Sequence, residues 1–571
     1  MSEAADTWAA ARPDIGLRSP DEVASLACMG AAHQHRLSFM RILLRRMKRE
    51  GWSFARSLWE LDGEGHGTAV YTAAGPERSY SLVAFSHDLD PAMRSDRVIA
   101  TAWDATYALF DGVPSKADIE RLRANVPLQE AGRVSASELS VSRTNRSVRL
   151  FDHVVARLSD GQQPDEALVD EVGYLMRTTA VYGSGKLGAA DYDSVCERSE
   201  LRAPFQAEML SVYLTREFTL DLVEHIAAAR SPGSAARLDP RIRRKFGVGN
   251  ATGLGMAPFL VNHPMLLNAW FTVRETALMR VRALASASTR QKEEFGRLLA
   301  RSLRGAASWR TADAVQSARI VVLAEDLGKL ASRIAAHGLA ENYPWDEIYR
   351  WADGNLSLEA RELVASLLIE GHGDLVDDLE ASYRADEAEG FRIDGSRPVR
   401  DVLMLLARNY RWAWDFDFGK PFEAARFWYT SEEKLEPRLG ERWEEDGAAL
   451  EQPLAIARDV QALGRALDGW APSGRLAAFL MAHPEHRHVV RRIMLSEKAP
   501  YAEIRDNVIS AGMRPIDILR FKLSCFGATR FDPRSDRWVR ITMFQHAPCM
   551  DEIATAEVDD WFLPPLDDRS A

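Results

Sequence analysis

The apolar spacing of this chain changes at Gly51, and that change limits the possible fold more than any other feature. Residues 20–50, ending in "RLSFMRILLRRMKRE", space their apolar side chains as a helix does. They finish on a basic turn, where cations suit the helix dipole. Beyond Gly51 the spacing becomes two. "ARSLWELDG", "GTAVYTAAG" and "SYSLVAFSHD" are short runs rich in Val, Tyr, Phe and Trp, separated by Gly63, Gly65 and the pair Gly75-Pro76. Such runs predict an antiparallel meander. "RVIATAWDATYALFDG" offers a fourth strand ending near Gly112, although it also scans as a helix.

Near the other end, "SCFGATRFDPRSDRWVRITMF" reads as a hairpin turning at Asp532-Pro533-Arg534-Ser535. Helical spacing dominates between the two regions. Helices are expected at 116–125, 136–159, 164–180, 205–230, 264–286 and 289–303, with more from about 310 to 500. Ser115 is the expected N-cap of the first. The expected fold is therefore mainly α: a large helical body with small antiparallel β elements near the N- and C-terminal ends. The chain divides into four segments: a helix and meander over 1–113, a helical domain with glycine-rich loops over 114–305, a second helical region over 306–500, and a helix, hairpin and loose tail over 501–571. The two β regions can pair into one sheet, which requires Cys525–Phe544 to lie close to residues 57–85.

Composition narrows the function classes. The 571 residues are 46% hydrophobic and 27% charged, enough apolar material for a sizeable core. No apolar run reaches the roughly 18 residues of a membrane span. The first residues lack the basic-then-apolar order of a secretory signal. Four cysteines (Cys28, Cys196, Cys525, Cys549) form no C-x-x-C pair, so neither a disulfide framework nor a zinc knuckle is expected. The expected location is cytoplasmic. A net charge of -11 opposes nucleic-acid binding, which needs a basic footprint.

Two glycine-rich stretches carry the functional expectation. "GVGNATGLGMAP", from Gly247, holds four glycines, Asn250 and Thr252 and no charge. Such a run is costly in a regular helix or strand, and its N–H groups suit an anion. The basic stretch "RLDPRIRRK", Arg237–Lys245, stands just before it, and His263-Pro264 comes after it. "VYGSGKLGAADYD" contains G-x-G-x-x-G at Gly183, Gly185 and Gly188. The residues before it read as helix, which opposes a dinucleotide fold. The G-x-G-x-x-G loop therefore reads as a helix cap that presents Lys186.

The resulting expectation is an enzyme acting on a small carboxylate- or phosphate-bearing metabolite. His263 would be the acid/base, because an imidazole titrates near neutrality. Lys186 would stabilise charge, and Asn250, Thr252, Gly253, Gly255 and Arg177 would hold the substrate. Reaction, cofactor and oligomeric state are left open, a homo-oligomer being compatible. The alternative is a non-catalytic helical scaffold binding partner proteins.

"Ala-x-Phe-Leu-x-x-His-Pro" occurs twice, ending at Pro264 and Pro484. Proline suits a first helical turn, so both copies predict helix starts. His33 and His35, two apart on an expected helix, read as structural. "HPEHRH" places His483 and His486 three apart, but nothing completes a metal set, and no metal site is expected.

Overall fold

The computed structural model describes residues 15–93, 102–127, 135–182, 195, 198–252, 264–309, 311, 314–383, 392–415, 417, 428–431, 437–439, 448–450, 454–503, 520–521, 524–527, 530–533 and 539–563. A nine-stranded sheet joins distant parts of the chain. Its strands are β1 (Ser53–Leu61), β2 (Gly67–Ala74), β3 (Ser79–Ser86), β4 (Ala105–Asp111), β5 (Glu138–Arg146), β6 (Tyr174–Tyr182), β7 (Gly247–Thr252), β11 (Arg530–Pro533) and β12 (Val539–Met543). The spatial order is β1-β2-β3-β4-β5-β6-β7-β12-β11. Helix is still the commonest structure among the described residues. The expectation of a helical body with small β elements near its ends is nevertheless wrong. Strands are spread from residue 53 to residue 543 and share one frame.

The expected meander is present as β1–β4. Asp62 Oδ1 accepts the Glu64 and His66 N–H groups at 3.0 and 2.9 Å and shapes the first turn. Gly67, at φ 140°, admits no side chain, since a Cβ would stand 2.0 Å from the Glu60 carbonyl oxygen. The helix Lys116–Asn125 starts at Ser115 with a reciprocal capping box to Asp118.

The misread strands are β5, β6 and β7. The segments 136–159 and 164–180 each divide into a strand and a helix: β5 then Phe151–Ser159, and Glu166–Val172 then β6. Arg143, Arg146 and Arg149 have a spacing of three that imitates a helix face. In the strand, Arg143 instead lies over the Trp103 ring at 4.1 Å and Arg146 over Phe151 at 4.5 Å. The deeper cause is burial on both faces. One face of the sheet packs Val70, Val83, Ala108 and Phe110 against Leu122 of the Lys116–Asn125 helix. The other packs Tyr71, Leu82, Tyr107 and Leu109 into the main core. A doubly covered strand loses the apolar–polar alternation that marks a half-exposed one.

Gly247 and Gly249 are also explained by packing. They belong to β7, not to a loop. A Cβ on Gly249 would stand 2.7 Å from the Tyr174 ring, and one on Gly247 would stand 2.3 Å from the Met543 carbonyl oxygen. The neighbouring strands approach too closely for any larger residue.

The sheet curls around one central helix, Gln206–Arg230. Every residue of this helix from Gln206 to Leu220 is buried. Phe54 of β1 and Phe544, just beyond β12, both reach Tyr213, at ring separations of 6.1 and 5.3 Å. The end regions thus share one sheet from its two sides without pairing to each other. Arg216 donates to the carbonyl oxygens of Phe246 (2.7 Å), Ala547 (2.9 Å) and Pro548 (3.2 Å), tying the entry of β7 to the exit of β12.

Helices Pro264–Arg282, Thr289–Ser308, Ala314–His337, Pro344–Asn355 and Leu358–Glu370 extend the same core. A second core forms around Val402, Leu406, Val460, Leu463, Phe479 and Ile493, from helices Val399–Asn409, Leu454–Asp468, Leu476–Ala482 and Arg487–Leu495. Strands β8 (Trp428–Ser431), β9 (Pro437–Leu439) and β10 (Ala448–Leu450) form a separate small sheet. Among the described residues, no helix is long and apolar enough to cross a membrane.

The packing account of Gly249 is testable by a double-mutant cycle. Gly249→Ala should destabilise the protein by about 1–3 kcal/mol, the usual cost of overpacking a core. In a Tyr174→Leu background the same change should cost much less. Penalties that simply add in urea unfolding would refute the close approach.

Candidate functional site

β6 and β7 run parallel, with Arg177 level with Gly249 and Thr178 level with Asn250. All other strand pairings of this sheet are antiparallel. Parallel neighbours need a crossover, here supplied by the central helix. β6 and β7 therefore end at the same edge of the sheet, at Tyr182 and Thr252. The surroundings of Gly183-x-Gly185-x-x-Gly188 also differ from the expected helix cap. A strand precedes these glycines, and a helix and a parallel strand come after them.

Of the expected site residues, Arg177 and Asn250 are brought onto adjacent strands. Arg177 is buried and Asn250 half-buried. The alternation of a strand puts them on opposite faces. Thr252 closes β7. Lys186, Gly253, Gly255 and His263 lie outside the described residues. The basic stretch does not serve the edge where β7 ends. Arg243 pairs with Asp221 (2.9 Å), Arg244 with Glu552 (2.9 Å) and Lys245 with Glu166 (2.9 Å), all where β7 begins.

A buried polar cluster lies beside the N-terminus of the central helix. Phe205, its N-cap, holds φ 59°. A left-handed conformation at a bulky side chain is strained, and such strain gathers at functional sites. Phe205 packs on Phe39 at 5.4 Å and on Phe526 at 4.9 Å, and Gln206 Nε2 donates to the Phe39 carbonyl oxygen at 3.1 Å. The helix Phe39–Arg49 and the central helix thus begin side by side, and their positive ends meet. The loop leading into the first is "HQHRLS", His33–Ser38. It is not helical as expected, because Ser38 opens a new helix at Phe39.

Within this loop the His35 ring is wholly buried. It stacks on Trp270 at 5.2 Å, and its Nδ1 accepts the Leu37 N–H at 3.2 Å. The ring proton therefore sits on Nε2, which has no hydrogen-bond partner. Burial pushes this imidazole well below its ordinary range, and Arg274, Arg41, Arg45 and Arg36 push the same way. It is a neutral donor, not a cation. Trp270 Nε1 is likewise buried without a partner, as is Nε of Arg274, one turn along the same helix. Buried donors are seldom left unmade, because each costs about 1–3 kcal/mol.

The surrounding charged groups pair with one another, although Arg41 Nε and Arg45 Nε are also buried without a hydrogen-bond partner. His33 Nε2 accepts from Arg520 at 3.3 Å, and Arg520 Nη1 lies 2.7 Å from Glu359. Burial, reinforced by Arg520, keeps His33 neutral. Arg18 bridges Glu275 (2.7 Å) and Glu362 (2.6 Å), and Arg274 completes the set on Glu362. Burial alone would raise the Glu362 carboxyl, but Arg18 and Arg274 outweigh it and hold the group well below the carboxylate range. Burial pushes the neighbouring Cys28 thiol far up, so it is no nucleophile at neutral pH.

No protein-family model matches the chain, and no curated protein and no solved structure matches it. The geometry alone carries the functional reading. His35, Trp270 and Arg274 were missed in the sequence. The available signal was Ser38 before the run "FMRILL", a helix start that takes His33 and His35 out of any helix.

The His35 assignment predicts a spectroscopic result. Histidine-selective 15N spectra should show His35 as the neutral Nε2–H tautomer from pH 8 to pH 6. Its folded-state pKa is depressed, so the unfolded chain takes up a proton first. His35 therefore contributes stability that is lost as pH falls below about 6.5. A His35 ring that becomes charged between pH 8 and 6 would contradict the buried, donor-only reading.

Proposed function

We propose that the chain binds a small, oxygen-rich anion, a carboxylate or phosphate, at the polar cluster beside the edge where β6 and β7 end, and acts on it by acid/base chemistry. The observation that carries this reading is the set of three buried N–H donors without acceptors: His35 Nε2, Trp270 Nε1 and Arg274 Nε. An oxyanion supplies the lone pairs that all three lack. The adjoining starts of the Phe39–Arg49 and Gln206–Arg230 helices favour negative charge as well. Such an array of fixed donors can stabilise charge that develops on a reacting oxygen.

In this reading His263 is the acid/base and Lys186 a second charge-stabilising group. In the sequence, Lys186 follows β6 and His263 follows β7. Asn250, Thr252, Gly253, Gly255 and Arg177 are the residues this reading assigns to holding the substrate. A second reading, a phosphate-bearing dinucleotide, is favoured by the strand–G-x-G-x-x-G–helix–strand order around Gly183. Against it, the end of β7 carries Thr252 and no acidic residue for a ribose hydroxyl.

A thermal-shift screen of carboxylates, phosphates and dinucleotides, with calorimetry on any hit, tests both readings. A carboxylate or simple phosphate should raise the melting temperature. Trp270→Phe, which removes one donor and keeps an apolar ring, should weaken that ligand roughly ten- to hundredfold, the effect of a lost charged hydrogen bond of about 1.5–3 kcal/mol. His263→Gln should leave binding nearly intact and abolish turnover. Stabilisation by dinucleotides alone would favour the second reading. No stabilisation by any anion would leave the scaffold alternative.

A further inference from the structure

The second core carries a cluster unrelated to the anion site. The helix Leu476–Ala482 ends at His483, and Pro484–His486 forms a single 3-10 turn before the helix Arg487–Leu495. Side chains three apart eclipse in a 3-10 turn. His483, the N-cap of this turn, and His486, its last residue, lie near each other, with ring centres 6.0 Å apart and the planes tilted by 35°. A plain count of three in the sequence does not imply this.

One nitrogen from each ring and a Glu485 carboxylate oxygen all lie within 4.8 Å of one another. His483 Nδ1 is 3.3 Å and His486 Nε2 3.9 Å from Glu485 Oε1. Tetrahedral zinc, with metal–ligand bonds of roughly 2.0–2.1 Å, separates its ligands by about 3.3 Å. The observed spacing is thus within a small side-chain adjustment of a chelate. The rings are already held. Phe479 stacks on His486 at 6.1 Å and lies 5.0 Å from His483, while Trp470 meets His483 edge-on at 5.9 Å. Asp459 adds a second negative charge nearby, paired with His488 at 2.9 Å.

We propose that His483, Glu485 and His486 form a binding site for a late first-row divalent metal such as zinc. Two imidazoles and one carboxylate match the preferences of these ions, whereas magnesium and calcium prefer all-oxygen sites. Three protein ligands leave the outer positions to solvent. The bound ion cross-links the end of one helix to the start of the next and braces the second core.

The test uses the full-length, untagged protein stripped with a chelator. Zinc is titrated in competition with a chromophoric chelator, and Co2+ serves as the spectroscopic probe. The wild type should bind one equivalent of zinc, unaffected by millimolar magnesium. The His483→Gln/His486→Gln double variant should bind at least tenfold more weakly while keeping the wild-type circular dichroism. Should that variant fail to fold, the Co2+ spectrum of the wild type decides alone. Visible bands of nitrogen and oxygen ligation without thiolate charge transfer support the site. Equal zinc uptake by the wild type and the folded double variant would overturn it. So would thiolate bands, which would move the metal to the Cys549, Asp551 and Glu552 group.

Discussion

Enclosure of the central helix governs this structure. A helix buried on all sides from Gln206 to Leu220 has no wet face, so the sheet must curl to cover it and further helices must close the remainder. Its polar residues must then find partners inside. Arg216 does so by binding three carbonyl oxygens, and Tyr213 donates to Pro548 at 3.0 Å. These bonds hold the start of β7 and the end of β12 against the helix, which seats a hairpin from the far end of the chain beside β7. Glu217, next along the helix, is pushed up to about 7 by burial, opposed by Arg216 and Arg243.

The same enclosure fixes one edge of the sheet. Because the central helix is the crossover between β6 and β7, both strands end at that edge. The helix must also start close to that edge, where it meets the start of Phe39–Arg49. Buried ions nearby pair with one another, as in the Arg18, Arg274, Glu275 and Glu362 set, although Arg274 Nε stays unmet. Removing one partner from such a set typically costs about 3–5 kcal/mol, so these residues serve first to hold the fold. His35 and Trp270 are different. Their rings are fully packed, and only their N–H groups are unmet. Among these residues, stability explains the ion network, and the unmet N–H groups are what the proposed ligand would satisfy.

Much of the frame was legible in the sequence. The meander, the helices beginning at 116, 206, 264 and 289, and the final hairpin are set by local rules of alternation, capping and turn chemistry. What failed depends on contacts between distant segments. β5 and β6 are covered on both faces, so their side chains do not alternate. The glycines of β7 were read as a loop because their cause lies elsewhere, in the Tyr174 ring and the Met543 backbone. The site was legible only in part. Asn250 and Arg177 of the candidate site were named from the sequence, but His35, Trp270 and Arg274 were not. His33 and His35 look structural when placed on a continuous helix, and Trp270 looks like ordinary core until its unpaired nitrogen is seen.

The repeated Ala-x-Phe-Leu-x-x-His-Pro shows how one local rule can serve two ends. In the second copy Phe479 anchors the second core, His483 caps its helix and Pro484 opens the next turn. In the first copy Pro264 opens the helix that carries Trp270 and Arg274. Proline needs no N–H partner in a first turn, and it holds the preceding histidine out of the α region. In the second copy the His483 ring packs on Phe479 of the helix that it ends and lies beside Glu485 and His486. His263 of the first copy lies outside the described residues, and the helix that follows it carries Trp270 and Arg274. Local backbone chemistry accounts for the repeat without common ancestry, and the surroundings account for the different uses.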